Sequence, residues 1–127
     1  MKSLDLDEFA VRRYEEIDGT QIVSVAGEVD LSSAPRLAEL MWRARRQAGG
    51  DPPHVVVDLS GVEFMDTAGL EVLMEEWNDS RKSDGRMCIV AQEGPIMRLL
   101  EVTGQGELFD LYDELGAAVD SCALSPA

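Results

Sequence analysis

A chain of 127 residues with 45% apolar content fits one domain with its own core, since a domain of this size buries roughly two-thirds of the surface its unfolded chain exposes. Asp and Glu number 25 against 11 Lys and Arg, a net charge of -14, and a field of that sign repels nucleic-acid phosphates and an anionic membrane face. Cys88 and Cys122 lie far apart in sequence without CxxC spacing and His54 is the single histidine, so neither a metal site nor a cofactor is expected.

The acidic opening Met1 to Glu8 lacks the apolar stretch of a secretory signal, and no run approaches the ~20 apolar residues of a membrane span. The expectation is a cytoplasmic protein with both thiols reduced. It forms a single domain over residues 1–127, with an ordered core at about 8–120 between two short tails.

Phe9 to Tyr14 and Gln21 to Ala26 read as two strands, and Asp18-Gly19 between them supplies the positive φ angles of a tight antiparallel hairpin. Gly27-Glu28-Val29-Asp30-Leu31 leads out of the second strand. Ser32 or Ser33 then caps a helix with Pro35 in its first turn. Leu37, Leu40, Met41, Ala44 and Ala48 form one apolar stripe on that helix, with Arg36, Arg43, Arg45 and Arg46 mostly outside it, and Gly49-Gly50-Asp51-Pro52-Pro53 ends it.

His54 to Leu59 is an apolar run without alternation, as in a central strand covered on both faces. A turn is expected at Ser60-Gly61, followed by Val62, Phe64 and Met65. A second helix begins beside Thr67, with Leu70, Leu73, Met74 and Trp77 inward. Arg86 to Ala91 is another buried strand, and Gly94-Pro95 opens a short helix that Gly104 caps in the left-handed conformation. Leu108 to Asp113 gives a last strand, Glu114 to Val119 a last helical segment, and residues 121–127 a tail. The sum is an α/β sandwich: a mixed central sheet of about four to five strands with four helices.

The chemistry concentrates at Asp66-Thr67-Ala68-Gly69. A hydroxyl stands where a loop becomes a helix, beside backbone N–H groups, and Gly69 leaves room for an approaching group, so a phosphate could be held there. Phosphorylation of Thr67 adds roughly -1.5 to -2 charge next to Asp66 and weakens an acidic docking surface. The plainer alternative is that Asp66 or Thr67 merely caps the helix.

Gly27-Glu28-Val29-Asp30, the run Val55 to Val62, the block Phe64-Met65-Asp66-Thr67-Ala68-Gly69-Leu70 and the segment Met97 to Gly104 occur in the order found in STAS domains. Over about residues 8–120 the chain resembles this family, and specifically the stand-alone anti-sigma factor antagonists of bacteria. The resemblance implies that the unmodified protein binds an anti-sigma factor that is also a kinase, and so frees a sigma factor. Phosphorylation at Thr67 then ends the binding and a protein phosphatase restores it. By position in the motif, Asp66 helps orient or activate the hydroxyl and Asp30 lies nearby on the docking face. Ala68, Gly69 and Glu71 complete the partner-binding set.

The chain departs from the family pattern in carrying Thr67 where many relatives have Ser and Glu71 where many have Gly. The Gly104-Gln105-Gly106 segment suggests a looser end to the third helix. Glu71, Glu75 and Glu76 are expected on the solvent face of the second helix, either against a basic partner or simply solvated. Trp77 reads as core, and Trp42 as partly exposed. STAS domains also serve as constitutive scaffolds or accessory subunits of signalling and transport complexes, which is the competing function. Acid-base work by Asp58 with Asp66 lacks a nucleophile with a histidine base, so no enzyme is expected.

Overall fold

The computed structural model describes residues 8–124. Among them, a five-stranded sheet is built from β1 (Ala10–Ile17), β2 (Thr20–Val29), β3 (His54–Met65), β4 (Arg86–Val90) and β5 (Asp110–Tyr112), side by side in chain order. β1 and β2 run antiparallel, and the three later pairings are parallel. Asp18 (φ 50°) and Gly19 (φ 87°) make the tight turn between the first two, the pair of positive angles that matches strand twist.

Each parallel pair needs a crossover, and α1 (Ala34–Gln47), α2 (Thr67–Lys82) and α3 (Pro95–Thr103) supply the three. With strands added in one direction, connections of one hand place these helices on the same face of the sheet. Leu37, Met41, Ala44, Leu70, Leu73, Ile96 and Leu100 meet Val23, Val25, Val55, Val57, Met87 and Ile89 there in one continuous core. The last helix, α4 (Leu115–Leu124), covers the opposite face. Its Ala118 and Cys122 pack on Ile22, Val56, Cys88 and Val90.

Three elements differ from the sequence reading. β3 does not turn at Ser60-Gly61 but continues to Met65. It carries one extra residue between the Ser24/Asp58 and Ala26/Gly61 pairs and another between Gly27/Val62 and Glu28/Phe64. These bulges bend the strand without ending its pairing, so turn-like residues occur inside it. β2 likewise runs on through Gly27-Glu28-Val29. Ser121 and Cys122 belong to α4 rather than to a tail, and residues 125–127, with residues 1–7, lie outside the described part.

The end of α3 is closed rather than loose. Gly104 (φ 74°) donates its N–H to Glu101 O at 3.2 Å, and Gln105 donates to Leu100 O at 2.9 Å. No helix among the described residues is long and apolar enough to cross a membrane.

Candidate functional site

β2 and β3 end in register at the Val29/Met65 pair, and both chains then leave the sheet through an aspartate. After β2, Asp30 organises the entry to α1. Its Oδ1 accepts from the Ser32 hydroxyl at 2.7 Å and from the Ser32 and Ser33 N–H groups at 3.0 and 3.1 Å. The hydrogen bonds from the Ser32 hydroxyl and the Ser33 N–H hold its carboxyl below the usual range. Ser33 occupies the helix-cap position as expected, but its hydroxyl does not cap. It donates back to Glu28 O at 2.9 Å and accepts from the Asp30 N–H at 3.0 Å.

After β3, Asp66 caps α2. Its Oδ1 accepts from Ala68 N at 2.9 Å and from Gly69 N at 3.4 Å. These are the amides a phosphate at this helix end would need, and the aspartate already holds them. Thr67 is the first helical residue and is exposed, and among the described residues its hydroxyl has no hydrogen-bond partner. The cap therefore belongs to Asp66 and leaves Thr67 free of that duty.

Gly69 corrects the expectation of room for an approaching group. It is buried, and a Cβ built on it would stand 2.7 Å from both Met65 Cγ and Val29 Cγ1. The glycine lets the start of α2 settle onto the ends of β2 and β3, and it faces the core rather than a partner.

Half-buried Ala68 and exposed Glu71 line a shallow groove between α2 and the entry to α1, together with Leu31, Pro35, Val72 and Glu75. Its floor is apolar and its α2 rim carries Glu71 and Glu75. Leu31 is 78% exposed, a large apolar side chain held in water by the Asp30 turn. Sequence reasoning missed it. The signal was an isolated leucine between Asp30 and two serines, a loop composition that buries nothing locally.

Glu76, expected on the solvent face, is instead buried between α1 and α2. Arg45 Nε donates to its Oε2 at 3.1 Å, and Arg45 Nη2 lies 3.8 Å from Asp79. Trp77 packs edge-on against Phe109 with ring centroids 5.7 Å apart, and Trp42 is half exposed beneath the Arg46 guanidinium. Asp58 accepts from the Ser24 and Ser60 hydroxyls and the Ser60 N–H, so both it and Asp66 are engaged in local structure.

An exposed hydroxyl at a capped helix start, beside an apolar groove with an acidic rim, stands at one edge of a five-stranded α/β domain. The STAS domain model matches residues 12–118, and the chain belongs to the STAS domain family. It is 30% identical over 97 residues to an anti-sigma F factor antagonist of Paenibacillus polymyxa, spanning 75% of this chain and 80% of the relative. An anti-sigma-B factor antagonist of Staphylococcus aureus is 30% identical over 91 residues, 72% of this chain and 82% of the relative. The crystal structure of an anti-sigma factor antagonist from Mycobacterium paratuberculosis superposes with a TM-score of 0.80 at 32% identity, over 91% of this chain and 95% of that one.

Proposed function

We propose that this protein is an anti-sigma factor antagonist. Its unmodified form binds an anti-sigma factor and so releases a sigma factor. Phosphorylation of Thr67 by that same partner, acting as a kinase, ends the binding, and a protein phosphatase resets it. The observation that carries this reading is the Thr67 hydroxyl, exposed and unpartnered on the first residue of α2 at the edge of the Leu31 groove.

The physics of the off state follows from the cap. A phosphate on Thr67 brings roughly -1.5 to -2 charge beside the Asp66 carboxylate and near Glu71, in a helix start whose amides are already taken. The phosphate can displace Asp66 from those amides or stand in repulsion against it. Either outcome alters the surface that Asp30, Asp66, Ala68 and Glu71 present to the partner. Thr67 and Ala68 border the contact, whereas Gly69 supports it from beneath.

Incubation with the cognate anti-sigma factor and ATP, followed by phosphopeptide mapping, tests the scheme. Phosphate is expected at Thr67, lost in Thr67→Ala, and Thr67→Glu is expected to bind the anti-sigma factor at least tenfold more weakly. Binding indifferent to the state of Thr67 would instead identify a constitutive scaffold.

A further inference from the structure

The two cysteines, 34 positions apart in sequence, meet on the face of the sheet opposite α1, α2 and α3. Cys88 of β4 and Cys122 of α4 are 0% and 1% exposed, with their Sγ atoms 3.2 Å apart. The disulfide bond length is about 2.05 Å, so closing the pair requires the sulfurs to approach by about 1.1 Å. We propose that Cys88 and Cys122 are a modification site, a buried dithiol that a small hydroperoxide oxidises to an intrachain disulfide fastening α4 to the sheet.

Access comes through α4 itself. Among its described side chains Ala118 and Cys122 are the buried ones. Polar contacts hold it as well: Arg86 donates to Ser121 O and Ser121 Oγ, each at 2.8 Å, and the Tyr112 and Ser121 hydroxyls lie 2.6 Å apart. A helix with so few buried contacts opens locally at a lower cost than the whole domain unfolds.

The pair is also electronically unequal. The hydrogen bond between the sulfurs raises the Cys88 thiol, with burial acting the same way. The same bond lowers Cys122, and the nearby Arg86 charge helps against burial. In the proposed step Cys122 is the thiolate. It forms an S–O bond as the peroxide O–O bond breaks, leaving a sulfenic acid and hydroxide. Cys88 gives its proton to that hydroxide and forms the S–S bond as the S–O bond breaks. The second hydroxide takes up the proton that Cys122 first released. Two thiols lose two electrons in total, and one hydrogen peroxide becomes two waters.

The test uses the full chain, reduced, desalted and titrated with hydrogen peroxide, then read by intact mass under denaturing, non-reducing conditions. The expected result is a loss of about 2 Da, a peptide joining Cys88 to Cys122, and full reversal by dithiothreitol. Amide exchange in α4 slows at least tenfold in the oxidised form, and Tm rises by roughly 5–15 °C. Cys122→Ser, which is close in size, abolishes the mass loss. Ser121→Ala, which removes one Arg86 bond and the Tyr112 bond from α4, speeds oxidation several-fold, and an unchanged rate would overturn entry by helix opening. An unchanged mass, a gain of about 32 Da from sulfinic acid, or disulfide-linked dimers would each overturn the proposed bond.

Discussion

The backbone N–H of Asp66 donates to the carbonyl oxygen of Val29 at 3.1 Å, so the cap of α2 hangs from the last residue of β2. This bond carries the parallel register of β2 and β3 one step beyond the sheet. It brings the Asp30 turn and the Thr67 helix start, 37 positions apart in sequence, onto one edge of the domain.

Removing the cap tests this arrangement. Asp66→Ala frees the Ala68 and Gly69 amides and is expected to cost about 1 kcal/mol in urea unfolding. Asp66→Asn keeps an acceptor in place and is expected to retain most of that stability.

Gly69→Ala is expected to destabilise by about 1 kcal/mol. Overpacking against Met65 and the stiff Val29 costs on the order of 1–3 kcal/mol, and the better helix propensity of alanine returns up to about 1. Gly69→Val, measured by the same denaturation, is expected to be worse.

The Arg45–Glu76 pair gives a pH signature. Burial pushes the Glu76 carboxyl above the usual range, with the Arg45 hydrogen bond and charge opposing it. A folded-state value above the unfolded one means that the native protein takes up the proton first as pH falls. The stability from this group is therefore fully present below about 4.3 and is lost as pH rises through the folded value. Wild type should lose stability relative to Glu76→Gln as pH is raised across that window, in urea melts from about pH 4 to 7. Glu76→Ala strands Arg45 and is expected to cost about 2 kcal/mol at neutral pH.

Leu31→Ala is expected to leave Tm within about 2 °C, because the side chain is exposed, while weakening anti-sigma factor binding about tenfold. Unchanged affinity in a titration of the unphosphorylated protein would remove the groove from the contact.

Much of the fold was legible because its signals are local. Asp18-Gly19 dictates a hairpin by backbone preference, Pro35 and Pro95 mark helix starts, and the β3 and β4 apolar runs have no exposed face. The site was half legible. The Asp66-Thr67 block stood out at a strand-to-helix junction, but which residue caps, which way Gly69 faces and that Leu31 joins the groove depend on neighbours distant in the chain.

Composition and periodicity alone determined an acidic α/β domain and the residue type at each helix start, since these follow from side-chain chemistry within a turn or two. Tertiary structure alone decided that Glu76 is buried by Arg45, that β3 runs on past Ser60-Gly61 with two bulges, and that Cys88 meets Cys122. Each of those depends on a partner more than 30 positions away, whose distance is set by how the helices and strands pack.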